Sequence, residues 1–238
     1  VLAPASVQEA VDLTTMAFDI AEKYRMVVCL LLDGFIGQMM EPVELPEFKP
    51  VRTTPPAWAI GSPDSKGQVV LTSINIDPPT QERFNVKMMT RWQEVEKNEV
   101  RYKGYFLDDA EYVVISYGTA GRISLSAVRA AREQGLKIGL VRPISLSPFP
   151  AKVVDELADR VKGFLVVEMS NGQMLDDIIS IVARRVPVEF YGRMGGMVPY
   201  PDEISNAISA LVNGKHDVNI DARAEWLAGL RELVGTGE

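Results

Sequence analysis

Through the second half of the chain, short apolar runs alternate with stretches of helical periodicity. The runs are YVVISYG (112–118), KIGLVRP (137–143), GFLVVEM (163–169) and VPVEFYG (186–192), all rich in Val and Ile. Behind the first, Ile123, Ala127, Val128 and Ala131 recur at helical spacing over about 122–134 and stop at Gly135. Behind the second, a helix opening near Pro150 carries Val153, Val154, Leu157 and Val161. Behind the third, Met174, Leu175, Ile178, Ile179 and Val182 do the same between Gln173 and Arg184. Strands alternating with helices predict a mostly parallel sheet covered on both faces, an α/β fold. Two further helices are predicted, one from Pro201-Asp202-Glu203 with Ile204, Ile208, Leu211 and Val212 inward, and one over 221–234.

The first half is patterned differently. Ser6-Val7-Gln8-Glu9 has the form of a capping box, and Ala10, Leu13, Met16, Ala17, Ile20 and Ala21 follow at helical spacing through Tyr24. MVVCLLL (26–32) then predicts a buried strand, ended by Asp33-Gly34. One helix and one strand cannot bury their own faces. Residues 1–45 therefore look like the last α–β unit of a larger sheet, and the opening on Val1 rather than Met agrees with a piece of something longer. The apolar side of 26–32 then needs a partner, in this chain or in a second copy. Residues 46–80 are extended connector, with Pro55-Pro56 and Pro78-Pro79, and QVVLTSINI (68–76) in it predicts a strand or hairpin arm. Gln81 to Tyr102 predicts a charged helix bridging two domains, with Phe84, Met88, Trp92, Val95 and Glu99 near one stripe. The expected divisions are 1–45, 46–108, 109–214 and 215–238.

Composition narrows the function classes. A formal net charge of −7 argues against nucleic acid as a partner. The single cysteine, Cys29, excludes an internal disulfide and any Cys-rich metal or iron–sulfur site, and its apolar surroundings predict a buried, inert thiol. The longest apolar run is the seven residues 26–32, far short of a membrane helix, and no basic leader opens the chain. A cytoplasmic location is expected. His216 is the only histidine and lies in the polar stretch Gly214-Lys215-His216-Asp217, a solvated loop position around which no metal site can be built. No Gly-x-Gly-x-x-Gly, P-loop or Gly-x-Ser-x-Gly motif is present.

Function in such a sheet belongs to the loops at the C-terminal ends of the strands. Gly118-Thr119-Ala120-Gly121 is either a tight turn of small residues or a receiver of phosphate, with Arg122 behind it as an anion partner or a solvated charge. The loop Glu168-Met169-Ser170-Asn171-Gly172-Gln173 reads two ways: contact with a cofactor domain or subunit, or helix capping with a buried hydrogen-bond network. Gly192-Arg193-Met194-Gly195-Gly196-Met197 is either a subunit interface or a loop whose methionines fill the core. Asp33-Gly34 is a turn that could also face a neighbouring active site.

The wording of three segments carries a resemblance: residues 1–43, then YVVISYGTAGRISLSAVRAAREQGLKIGLVRPISLSPFP (112–150), then VVEMSNGQM (166–174). Over nearly all of 1–213 the chain resembles the α subunit of 2-oxoacid:ferredoxin oxidoreductases, of the 2-oxoisovalerate and 2-oxoglutarate types. These enzymes decarboxylate a 2-oxoacid on thiamine diphosphate, pass electrons to ferredoxin through iron–sulfur clusters and form an acyl-CoA. The resemblance implies that 1–45 is a truncated remnant of the pyrimidine-binding domain and that 109–213 is similar to the transketolase C-terminal domain. It also implies that the family's activating glutamate lies upstream of Val1, that Mg²⁺ and diphosphate are held mainly by other segments and subunits, and that the clusters sit on a partner subunit. CoA enters as a substrate. No catalytic or metal-binding residue is then expected in this chain, which would be inactive alone, and none of these cofactors would be bound by it unaided. Its expected partners are the β and other subunits, ferredoxin indirectly, and a second copy in a homodimer. Asp33, Gly34, Gly118, Thr119, Glu168, Asn171, Gly172, Gln173 and Arg193 are the candidate interface residues. Two other readings stay open. One is the β subunit of an E1-type 2-oxoacid dehydrogenase. The other is a non-enzymatic flavodoxin-like module, against which counts the lack of an acidic cluster after the first strand.

Overall fold

The structure, a computed structural model, describes residues 1–48, 54–64, 72–214 and 217–235. Its centre is a five-stranded sheet of β1 (Tyr102–Tyr105), β2 (Tyr112–Ser116), β3 (Ile138–Pro143), β4 (Gly163–Glu168) and β5 (Val188–Gly192), in the order β1-β3-β2-β4-β5. β2 to β5 pair in parallel and β1 joins β3 antiparallel at one edge. The helices are α1 (Val7–Tyr24), α2 (Pro78–Asn98), α3 (Gly118–Glu133), α4 (Ala151–Ala158), α5 (Gln173–Val182), α6 (Pro201–Asn213) and α7 (Ala222–Val234).

Successive strand residues point to opposite faces, so the continuous apolar runs feed two cores. Val114, Leu165 and Val167 meet Val128 of α3 and Ile204, Ile208 and Leu211 of α6. Val113, Ile115, Phe164 and Val166 meet Val154 and Leu157 of α4, Leu175 and Ile178 of α5, and Trp226 of α7. The Trp226 ring stands edge-on to Phe190 at 4.9 Å, and its indole N–H donates to the Gly192 carbonyl. From β2 the chain turns to β3 on one side, then crosses to β4 and β5 on the other. The loops after β2 and β4 therefore diverge over opposite faces, and a crevice opens between them.

Several expectations change. α3 begins at Gly118 rather than near 122, so the small-residue loop after β2 is the first helical turn. α2 runs Pro78–Asn98, because Asp77 accepts from Thr80 N–H as the cap and the tandem prolines suit the first turn. The chain beyond it becomes the edge strand β1, whose short, mostly exposed YKGY gave no periodic signal. The predicted strand over 26–32 does not form as a strand. Only Leu30 bridges, to Leu2, through Leu2 N–H to Cys29 and Leu31 N–H to the Leu2 carbonyl. The reason is a missing ladder: residues 1–3 thread between 29–31 and 144–146, and the outer side of 26–32 finds no strand among the described residues. Val27 is 97% exposed, Leu31 and Leu32 are partly so, and Cys29 is exposed rather than buried. Of 68–76, residues 68–71 lie outside the described set and 72–76 are irregular, while His216 also lies outside it. Among the described residues no helix is long and apolar enough to cross a membrane.

Candidate functional site

Three side chains join residues 1–45 to the sheet. Glu9, on the first turn of α1, takes both terminal nitrogens of Arg142 at 2.8 and 2.7 Å. Arg142 belongs to the buried strand β3 and is itself buried, so this is a planar, two-pronged pair shielded from water. Ser6 caps Glu9 N–H, but the Glu9 carboxylate accepts from Ala5 N–H rather than from Ser6, so only half of the expected capping box forms and the acid is turned toward β3. Glu99, behind α2, gathers the Tyr24 hydroxyl, Lys23 and Arg101.

The third is Asp33. Its carboxylate accepts from the Thr119 N–H and hydroxyl, both at 2.8 Å, and from Phe35 and Ile36 N–H. It thus occupies the N-terminus of α3 in place of a cap from Tyr117, whose side chain makes none. Gly118 sits at φ +58°, and a Cβ there would lie 2.9 Å from an Asp33 carboxylate oxygen. Gly34 follows with open space around it. Gly118→Ala is expected to cost about 1–2 kcal/mol from the left-handed backbone alone, and to loosen residues 33–36 as Asp33 is pushed away. Urea unfolding with amide exchange at Thr119 and Ile36 checks both effects.

The β4 loop forms a capping network. Glu168 is buried to 1% exposure and accepts from Met174 N–H at 3.1 Å, Leu175 N–H at 2.9 Å and the Ser170 hydroxyl at 2.7 Å. Burial pushes its carboxyl above the ordinary range, against these donors and the Arg223 charge. Asn171 and Gly172 offer their carbonyls to Arg223 of α7, which also pairs with Asp176, and Gln173 opens α5 exposed to solvent. Gly172, at φ +90°, makes the close turn beneath that guanidinium. At β5, Arg193 N–H donates to the Glu168 carbonyl. Its side chain is 7% exposed and lies 3.7 Å from Glu203, with Nε and Nη1 making no hydrogen bond among the described residues. Met194 and Met197 are exposed rather than core-filling. Arg122 pairs with Glu41.

The candidates thus form one edge: Asp33, Gly118 and Thr119 meet at the end of β2, and Glu168 to Gln173 and Arg193 border the ends of β4 and β5. Sequence reasoning gave no role to Arg142, Tyr117 or Arg223, and to Glu9 only that of a cap. An arginine inside an otherwise apolar strand was the available signal for Arg142, since such a charge needs a buried partner. Tyr117 lies in the crevice between the diverging loops. Burial, with the Glu168 and Asp33 charges, pushes its phenol up to about 12.

Residues 1–103 match the family model for pyruvate flavodoxin/ferredoxin oxidoreductase, thiamine diphosphate-binding, and residues 110–204 match that for pyruvate:ferredoxin oxidoreductase core domain II. The chain is 44% identical over 196 residues to ketoisovalerate oxidoreductase subunit VorB of Methanothermobacter thermautotrophicus, covering 82% of this chain and 55% of that protein. It is 30% identical to 2-oxoglutarate synthase subunit KorA of Methanothermobacter marburgensis, covering 88% of this chain and 63% of the relative. The chain therefore spans little more than half the length of these relatives. Among solved structures, a 2-oxoglutarate:ferredoxin oxidoreductase from Magnetococcus marinus, with 2-oxoglutarate, coenzyme A and succinyl-CoA bound, superposes with TM-score 0.68 at 18% identity over 89% of this chain and 42% of that one. That likeness shows the fold.

A diphosphate needs open N–H donors or cations, and its metal needs several ligands. Here the N-terminal donors of α3 and α5 are taken by Asp33 and Glu168, and Arg122, Arg142 and Arg223 are paired within the chain. Among the described residues no group of three or more His, Cys, Asp or Glu side chains could hold a metal ion. Those two helix ends and three arginines are therefore engaged within the chain.

Proposed function

The chain belongs to the 2-oxoacid:ferredoxin oxidoreductase family, and from that premise we propose that it is the bracing part of the α subunit of a thiamine diphosphate-dependent oxidoreductase. That enzyme oxidatively decarboxylates a 2-oxoacid to an acyl-CoA and passes electrons to ferredoxin. The higher identity to the ketoisovalerate relative favours a branched-chain 2-oxoacid.

One observation carries the reading. Residues 1–45 are clipped to the sheet by the Glu9–Arg142 and Asp33–Thr119 contacts, while their outer edge, with Val27, Leu31 and Leu32, is left exposed and apolar. A patch of this kind is suited to burial against protein. In this reading 1–45 is the remnant of the pyrimidine-binding domain, and 46–108 is the connector with its bridging helix. Residues 109–214 form the transketolase C-terminal-like brace, and 215–238 carry the last helix. The loops 168–173 and 192–197 face the other subunits. Asp33, Gly34, Gly118, Thr119, Glu168, Asn171, Gly172, Gln173 and Arg193 hold that edge in shape instead of touching substrate. The β subunit and further subunits supply the Mg²⁺-diphosphate site and the iron–sulfur cluster, ferredoxin is an indirect partner, two copies of this chain pair, and the assembly is cytoplasmic. A rigid brace matters because misplacing reacting groups by about 1 Å costs on the order of a hundredfold in rate.

The test is dye or ferredoxin reduction with 2-oxoisovalerate, CoA, thiamine diphosphate and Mg²⁺. The purified chain is expected to show no turnover alone and to show it when co-purified with a cluster-bearing partner. Turnover by the chain alone would overturn the bracing role. Capture of a lipoamide acyltransferase in place of a ferredoxin-reducing partner would favour the E1-type reading.

A further inference from the structure

Away from the sheet's loop edge, where the end of α1 meets α2, lies a groove of about 540 Å³. Arg25, Lys87 and Arg91 line it with cations, and Thr72 and Ser73 with hydroxyls. Phe84 and Met88, both half-buried, are its apolar side. Phe84, Met88 and Arg91 stand at i, i+4 and i+7 of α2 and so share one face of the helix, with Lys87 beside them. Arg25 caps the end of α1 at φ +50°, and its guanidinium lies 5.0 Å from the centre of the Trp58 ring.

The lining holds three positive charges and no carboxylate. Among the described residues the side chains of Arg25, Lys87 and Arg91 make no hydrogen bond or ion pair, whereas Arg122, Arg142, Arg185 and Arg223 are all paired. The nearest acids along the two helices, Glu22 and Glu94, stand about one turn from Arg25 and Arg91 and outside the lining. Lys87 and Arg91 also continue a row begun by Arg83, each four residues from the next. Like charges at that spacing weaken a helix, and an anion lying across them removes the cost.

We propose that this groove binds an organic polyphosphate with a flat apolar body, of the nucleoside diphosphate class: the phosphates meet Arg25, Lys87, Arg91 and the Thr72 and Ser73 hydroxyls, and the ring lies against Phe84 and Met88. The volume is that of a small-molecule site. Arginines grip phosphate oxygens in pairs, and lysine adds a point charge. Cations set more than a helical turn apart suit two or three linked phosphates better than one carboxylate. An aromatic face accepts any base by stacking. An acidic peptide would call for cations strung along a track, and these three are gathered in one groove. With no carboxylate in the lining to hold a metal ion, the protein's own cations carry the neutralisation.

The test titrates the full chain with ADP, adenosine, inorganic pyrophosphate and CoA, without added metal, followed by amide chemical shifts. ADP is expected to give saturable shifts at Arg25, Ser73, Lys87 and Arg91, pyrophosphate weaker ones, and adenosine almost none. Shifts with ADP and CoA alike identify the adenosine diphosphate they share as the recognised group, and shifts with ADP alone identify a free nucleotide. Lys87→Gln and Arg91→Gln are each expected to weaken ADP about three- to fivefold, the size of one exposed charge contact. Lys97→Gln, on the same helix outside the groove, should leave the affinity unchanged. Salt at about 1 M, where screening acts within about 3 Å, should abolish binding. Adenosine binding as tightly as ADP, ADP shifts spread over other basic residues, an oligoglutamate peptide saturating the groove more tightly than ADP, or unchanged affinity in Lys87→Gln overturns the proposal. Lys87 is exposed, so its replacement leaves the fold intact. None of these readouts depends on 2-oxoacid turnover, so this proposal and the proposed function fail separately.

Discussion

Glu9→Ala is expected to destabilise the protein by about 3 kcal/mol, the lower end of the range for breaking a buried ion pair from one side. Arg142 is 4% exposed within a fully buried strand, and among the described residues Glu9 is the acid that pairs with it, taking both forks of the guanidinium. Removing the carboxylate leaves a charge that water cannot reach. Taking out both charges in Glu9→Leu/Arg142→Leu is expected to cost less than Glu9→Ala, since the penalty comes from the orphaned ion rather than from the loss of the pair. Urea unfolding at pH 7 measures both variants. Amide exchange in α1 separates undocking of residues 1–45 from global unfolding. The pair also carries a pH signature. Burial alone would raise the Glu9 carboxyl, but the Arg142 hydrogen bonds and charge, the Ala5 N–H and Lys103 hold it below its ordinary 4.5. A depressed acid contributes stability above that ordinary value and loses it as pH falls through the folded-state pKa. Wild-type stability should therefore drop below about pH 4.5 by more than that of Glu9→Ala. Parallel acid curves for the two proteins would remove the pair as the source.

Glu168→Ala should cost about 2–4 kcal/mol, because three donors lose their acceptor in a place closed to solvent. The Met174 and Leu175 amides open α5, and the Ser170 hydroxyl holds the loop between β4 and that helix. The alanine also leaves a void at the end of β4, where Glu168 is 1% exposed. Glu168→Gln keeps the volume and one acceptor oxygen but presents an amide to the remaining donors, so it should lose about 1–2 kcal/mol. Exchange of the Met174 and Leu175 amides is expected to accelerate in both variants, more in the alanine. An alanine variant within about 0.5 kcal/mol of wild type would mean that the loop is held by Arg223 instead, and Arg223→Ala would then show the larger loss.

Local pattern announces a contact only where the contact is local. The Ser6 cap on the Glu9 amide was legible, but the destination of the acid was not: Glu9 meets Arg142 across 133 residues of chain. The small residues at 118–121 were read as a tight turn or a phosphate loop ahead of the helix, and they are its first turn. What occupies that start is Asp33, 86 residues earlier, and no spacing rule joins the two. For Glu168 the opposite holds, since its partners lie two, six and seven residues on. One of the two readings made from that loop alone, a cap with a buried network, is the arrangement found. The segment 26–32 was misjudged because apolar content measures a wish for burial, whereas a strand also needs a neighbour to pair with.

Taken by itself, the amino-acid order determined the alternation of strands and helices, their parallel pairing, and the likeness to oxidoreductase subunits. Each follows from side chains a few residues apart or from runs of wording. Tertiary structure alone decided which charges meet, that Cys29 faces water, and that β1 joins as an antiparallel edge. Those outcomes depend on distances between groups far apart along the chain, and folding brings such groups together through the burial of other residues.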